Sequence, residues 1–206
     1  MKGLKMSVLT GKPAPDFTAP TVMPDNSVEE NFNFKEYIKG KKAILFFYPK
    51  DFTFVCPSEI IAFNNRLNAF KERGVEIIGV STDSAQSHID WKNTEVNKGG
   101  IGNVQYPIVA DESKEVSKAY DVLIEAQGIA YRGSFLIDAE GKVRHQVVND
   151  LPIGRDIDEA LRTVDALIFH EENGDVCPAG WNKGDEGMKA NAEGVASYLA
   201  KNASNL

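Results

Sequence analysis

Two periods of hydrophobic and polar positions run along this chain, and the points where one gives way to the other mark its elements. Residues 43–48 form an unbroken apolar run ended by Pro49, the pattern of a strand covered on both faces. After a short irregular passage come Pro57, Ser58 and Glu59, and a proline one residue inside a helix with a glutamate soon after is a helix-start signature. Ile60, Phe63, Leu67 and Phe70 then recur at helical spacing until Gly74, so the pattern predicts one amphipathic helix over 57–73. Residues 75–81 form a second buried strand. Strand, helix and strand in close succession predict a βαβ unit with a right-handed crossover and a parallel sheet.

Ser and Thr residues within 82–87 offer caps for a second helix that reaches about residue 96 and carries Trp91. Gly99, Gly100 and Gly102 then break the chain. Residues 106–110 hold a short apolar piece, and 113–120 predict a short helix. Residues 134–138 and 142–148 read as two strands around a turn at 139–141, a hairpin signal, with Val143, His145 and Val147 on one face. Beyond a loop at 149–154, Ile157, Leu161, Val164 and Ile168 define a helix over 155–169. Residues 7–34 suggest short strands or loops laid over the core, with a brief helical turn at 34–38. These elements make an α/β domain over 7–172, a mixed sheet with helices on its faces. Residues 173–206 are glycine-rich, with a weak helix near 195–199, and read as an appendage.

Composition narrows the functional classes. The 206 residues are 42% hydrophobic and 26% charged, enough for one sizeable core. A net charge of -7 argues against nucleic acid or an anionic membrane surface as partner. No run approaches the roughly 20 apolar residues of a membrane span, and residues 1–15 lack the apolar centre of a secretory signal. A cytoplasmic protein is therefore expected, and Met6 is a plausible alternative start. Two cysteines, Cys56 and Cys177, are too few for a secreted disulfide scaffold or a cysteine-rich zinc site. No metal or cofactor is expected.

Cys56 carries the strongest chemical signal. It lies at the start of the predicted helix, just beyond the carboxyl end of a strand, where sites gather in open α/β sheets. Unpaired N–H groups and the positive end of the helix dipole favour a thiolate there. Glu59 stands where a Cys-x-x-Cys pair would need its second thiol, which excludes that exchange chemistry. Thr53 is close enough to hydrogen-bond the sulfur or a ligand oxygen, and Pro49 can shield the sulfur while offering no donor. A cation is expected from elsewhere. Arg132, just before the strand at 134, can project from a sheet edge toward the same rim, and its planar fork suits the task better than Lys50. His145 reads as an exposed or satisfied strand residue. On these residues alone, unremarkable thiols and a redox or nucleophilic cysteine both stand open.

The segment Pro49-Lys-Asp-Phe-Thr53-Phe-Val-Cys56-Pro-Ser-Glu59 resembles the Pro-x-x-x-Thr-x-x-Cys motif of peroxiredoxins. The resemblance continues, in order and spacing, through Trp91-Lys-Asn-Thr, Arg132-Gly-Ser-Phe-Leu-Ile-Asp, Asn149-Asp-Leu-Pro-Ile-Gly-Arg155 and Val176-Cys177-Pro-Ala-Gly-Trp181. These segments are similar to the typical two-cysteine subgroup, which includes the bacterial alkyl hydroperoxide reductase C subunit. It covers nearly the whole chain from about Ser7.

The resemblance implies a thioredoxin-like fold and a thiol peroxidase that reduces hydrogen peroxide and organic hydroperoxides. It implies that Cys56 is the peroxidatic cysteine, that Thr53 and Arg132 hold the peroxide with Pro49 as lid, and that Glu59 and Arg155 orient Arg132. Cys177 is implied as the resolving cysteine, which forms a disulfide with Cys56 across a homodimer. Thioredoxin or a flavoprotein disulfide reductase is implied as electron donor, and five dimers as the larger assembly. A redox-dependent holdase chaperone on the same oligomer is the alternative function. Gly99-Gly-Ile-Gly102 resembles the segment associated with sensitivity to overoxidation. Tyr198-Leu199 departs from the Tyr-Phe of sensitive eukaryotic members, which implies intermediate or low sensitivity.

Overall fold

The apolar run that follows Lys41 becomes an interior strand of a seven-stranded sheet, and the elements around it place Cys56 at one end of that sheet. The computed structural model describes residues 8–206, so the alternative start at Met6 lies outside the described residues. The chain falls into two compact units, one ending at Ile157 and one beginning at Asp158. In chain order the first unit contains β1 (Thr18–Val22), β2 (Val28–Asn33), α1 (Phe34–Tyr37), β3 (Lys42–Phe47), α2 (Cys56–Asn65), α3 (Leu67–Glu72) and β4 (Val75–Ser81). It continues with α4 (Ala85–Asn93), β5 (Ile108–Ala110), α5 (Glu115–Ala119), β6 (Leu123–Ile124), β7 (Ile129–Ala130), β8 (Arg132–Ile137) and β9 (Val143–Asn149).

The main sheet has the order β2-β1-β5-β4-β3-β8-β9, with β3, β4 and β5 parallel and the other pairs antiparallel. This is the mixed, helix-flanked sheet expected of a thioredoxin-like peroxidase. Successive residues of β3 face opposite sides of the sheet. Phe47 joins one core layer with Val80, Val109, Tyr120 and Phe135. Phe46 faces the other way, stacks on Phe63 of α2 at 4.3 Å and meets Tyr106 edge-on at 5.8 Å. The helix that begins at Cys56 is therefore pinned to the sheet by an aromatic pair two turns further on.

Several elements differ from their sequence expectation. The single helix over 57–73 is two, because Arg66 leaves helical geometry at φ -103°, ψ 6°. Ile60, Phe63, Leu67 and Phe70 all remain buried across that turn, so apolar spacing does not register it. The helix with Trp91 ends at Asn93 instead of about 96, since Thr94 turns extended. Gly100 explains why this works: a Cβ there would lie 1.9 Å from the Thr94 carbonyl oxygen, so only glycine permits the approach. The β6–β7 hairpin went unpredicted because strands of two residues carry no period.

The second unit is built on α6 (Ile157–Asn173), which starts at the last residue of the first unit, and on α7 (Ala192–Asn202). Within it Trp181 is buried against Phe169 at 4.9 Å, and Arg162 donates to the Trp181 carbonyl at 2.7 Å. Val176 and Met188 form an isolated antiparallel bridge. The weak helix expected near 195–199 extends to eleven residues, capped by Asn191, whose side chain accepts from the Gly194 N–H.

Because Phe46 links β3 to α2 without touching solvent, Phe46→Ala should cost about 3–5 kcal/mol of stability. Denaturant unfolding followed by circular dichroism measures it; a loss under about 1 kcal/mol would show that the aromatic layer collapses around the cavity.

Candidate active site

The sheet topology assembles the candidate residues at one end of β3. Antiparallel pairing sets Phe46 opposite Ser134, so Arg132, two residues earlier on β8, falls just past the end of β3. It pairs with Asn149 of β9, and the loop that follows β9 returns Leu151 and Arg155 to the same end. β8 lies inside the sheet between β3 and β9, so Arg132 projects from a strand terminus and not from a sheet edge.

Cys56 is the first residue of α2 and is 0% exposed, with Pro57 behind it and Val55 at the N-cap. Thr53 Oγ1 lies 3.0 Å from its Sγ, and Arg132 Nη1 donates to that sulfur at 3.3 Å. The Thr53 hydroxyl also lies 2.8 Å from the Lys50 carbonyl oxygen, so its single proton has two acceptors within reach. Pro49 is buried immediately before this loop, while Lys50 is exposed. Arg132 is the cation that reaches the sulfur.

Glu59, 2% exposed, lies between the two arginines. Its Oε2 accepts from Arg132 Nη1 at 2.7 Å and from Arg155 Nη2 at 3.0 Å, while Oε1 accepts from the Arg155 side chain at 2.8 Å and its backbone N–H at 2.9 Å. Burial pushes the Glu59 carboxyl up, yet the charge and hydrogen bonds of Arg155, followed by Arg132, outweigh it and hold the group below the usual glutamate range. Arg132 Nε donates to the Leu151 carbonyl at 2.7 Å, and Arg155 Nη1 to that of Gly133 at 2.6 Å. Arg155 also stands 5.3 Å from the centre of the Phe46 ring. Further along α2, the Tyr106 hydroxyl donates to the Ile60 carbonyl at 2.8 Å.

Sequence reading missed a buried polar cluster beneath the loop. Asp51 Oδ1 accepts from Tyr48 Oη at 2.8 Å, and Oδ2 from Ser87 Oγ at 2.7 Å. His88 Nδ1 stands 2.7 Å from the same Oδ2. His88 sits on α4, and its one-turn offset from Trp91 was the only signal that it shares that buried side. Cys177, in the second unit, offers its thiol to the Ala166 carbonyl at 3.4 Å. Burial raises its pKa above the ordinary thiol range despite the nearby Arg162 charge. Both cysteines are free.

A buried sulfur with a hydroxyl and a guanidinium aimed at it is a thiol site. Residues 10–146 match the AhpC/TSA family, and 166–201 match the C-terminal domain of 1-Cys peroxiredoxin. The chain belongs to the AhpC/TSA family. Alkyl hydroperoxide reductase C of Helicobacter pylori is 58% identical over 199 residues, covering 97% of this chain and all of that protein. Peroxiredoxin-1 of Gallus gallus is 48% identical, covering 93% of this chain and 95% of that one. The crystal structure of reduced Plasmodium vivax 2-Cys peroxiredoxin superposes with a TM-score of 0.90 at 50% identity, covering 94% of this chain and 99% of that one. Like these peroxiredoxins, this chain is a thiol peroxidase, and the holdase alternative finds no favour among its relatives.

Glu59→Gln should destabilise the peroxiredoxin by about 3–5 kcal/mol, because it leaves two buried guanidinium groups with half their partner. A lowered folded pKa makes the carboxylate's contribution complete above the ordinary glutamate value of about 4.3 and lost as pH falls through the folded value. Unfolding free energies measured against pH should therefore differ between wild type and variant by a constant amount above about pH 5.5, and the gap should narrow in acid. A pH-independent gap down to pH 2 would refute the assignment of charge to Glu59.

Proposed function

We propose that this protein reduces hydrogen peroxide and organic hydroperoxides at Cys56 and completes the cycle through Cys177 of a partner subunit. The observation that carries the reading is the pair of donors, Thr53 at 3.0 Å and Arg132 at 3.3 Å, on one buried sulfur. The Cys56 thiolate attacks one peroxide oxygen, the O–O bond breaks, and the departing oxygen leaves as water or alcohol after taking up a proton. Cys56 becomes a sulfenic acid. Negative charge moves from sulfur to the leaving oxygen in that step, so donors shared between the two sites stabilise the transition state more than the reactants. Thr53 and Arg132 hold the peroxide in this way. Pro49 keeps water from the sulfur, and Glu59 and Arg155 hold the Arg132 fork in one orientation.

In the second step the Cys177 thiol displaces water from the sulfenic acid and forms the Cys56–Cys177 disulfide. Its raised pKa and its hydrogen bond to Ala166 keep it a thiol in the resting protein. The domain over 7–172 carries the peroxide chemistry and 173–206 the resolving arm. Thioredoxin or a flavoprotein disulfide reductase returns two electrons to the disulfide. The working unit is a homodimer that assembles to a decamer, in the cytoplasm; no helix among the described residues is long and apolar enough to cross a membrane.

Treatment with peroxide should yield a non-reducing gel band near twice the 22.6 kDa chain, absent in Cys177→Ser and in Cys56→Ser. Peroxide consumption with each reductant in turn should vanish in Cys56→Ser. Survival of the band in Cys177→Ser would remove Cys177 from the cycle, and undiminished consumption by Cys56→Ser would remove the whole reading.

A further inference from the structure

The loop that delivers Thr53 to the sulfur contains a backbone conformation that an aromatic residue rarely adopts. Phe52 has φ +53°, in the left-handed region where L-residues other than glycine, asparagine and aspartate are seldom found. Its side chain is 54% exposed and its ring lies 5.7 Å from that of Trp91, so no deep burial of the ring offsets the strain. Such outliers persist only where the surroundings over-determine them. What surrounds this one is Asp51, the residue immediately before it.

Asp51 is 4% exposed and its carboxylate faces three polar groups at 2.7 to 2.8 Å: Tyr48 Oη, Ser87 Oγ and His88 Nδ1. Its own N–H donates to Asp83 Oδ2 at 2.9 Å, and Asp83 is itself bonded by Ser81 Oγ at 2.8 Å. The carboxylate thus ties the loop to the end of β3 and the first turns of α4, and the backbone N–H ties it to the end of β4. None of them reaches Cys56. Thr53, two residues on, does.

We propose that Asp51 is a positioning residue for the peroxide reaction: its carboxylate clamps the strained turn at Phe52 so that the Thr53 hydroxyl stays on the Cys56 sulfur. The clamp and the strain oppose each other. Releasing the carboxylate lets Phe52 relax to an extended or right-handed backbone, which rotates the peptide that leads into Thr53 and takes its hydroxyl off the sulfur. Removing the strain instead leaves the turn in place with less need of the clamp. The inference rests on Cys56 being the residue that meets peroxide.

The test uses the full-length protein in a Cys177→Ser background, which isolates the first step. Asp51→Ala should slow single-turnover peroxide reaction at Cys56 by roughly tenfold or more. Amide exchange should rise over residues 50–56 while β3 and β4 keep their protection. Adding Phe52→Gly, which accepts a positive φ without strain, should recover several-fold of the lost rate and restore protection to the loop. Because Asp51→Ala strands three buried groups, Tyr48→Phe and Ser87→Ala serve as milder releases, each with a smaller effect of the same sign that Phe52→Gly also reverses. An unchanged peroxide rate, exchange that rises throughout the sheet, or a further loss on adding Phe52→Gly would overturn the assignment. Cys56→Ser run in parallel separates the two readings: if it still reacts with peroxide, the role of Cys56 fails; if it is inert and the Asp51 variants are not slowed, only the clamp fails.

Discussion

A single buried carboxylate flanked by two arginines is the constraint on which the geometry around Cys56 depends. Glu59 could not remain charged away from solvent without compensation, since burying an isolated carboxylate costs several kcal/mol or more. Arg155, followed by Arg132, supplies that compensation. The consequence lies in the leftover valence. Arg132 places Nε on Leu151 and shares Nη1 between Glu59 and the sulfur, so its plane is set by the protein itself. A lysine could not be oriented this way, because a rotating ammonium has no plane to set.

The arrangement also explains why distant segments of sequence must meet. Glu59 is on the first turn of α2, Arg132 opens β8, and Arg155 follows β9. They converge because β8 runs antiparallel to β3 and turns back through β9, so the start of one strand and the end of the next both fall at the carboxyl end of β3. Phe46 extends the same device into the core: it stacks on Phe63 of α2 and presents its face to Arg155. Charge placement and apolar packing are coupled through that ring.

Much of this was legible in the residues themselves. The continuous apolar runs marked the two central parallel strands, and proline followed by glutamate marked the helix that starts at Cys56, because those signals act within a few residues. Arg132 is legible as the cation a thiolate needs, although its place inside the sheet depends on strand order, which local pattern does not carry. The break at Arg66 and the two-residue strands were invisible for a related reason: neither disturbs the apolar spacing. The Asp51 cluster escaped because its members are polar residues contributed by separate elements: nothing in the local pattern of Asp51 announces burial, and His88 has only its offset from Trp91.

The helix that carries Cys56 is held unevenly along its length. From Glu59 onward it is fastened from outside, by Arg132 and Arg155 on the Glu59 carboxylate, by the Tyr106 hydroxyl on the Ile60 carbonyl and by Asn64, whose side chain accepts from the Gln105 N–H. Ahead of Glu59 it has no side-chain cap at Val55 and no amide hydrogen at Pro57. Few backbone hydrogen bonds would therefore be lost if residues 56–58 opened, and the arginines on Glu59 and the fastening at Ile60 would stop the opening from spreading. The helix is built like a fuse, with a short expendable length in front of a fixed mount, and the sulfur sits on the expendable part.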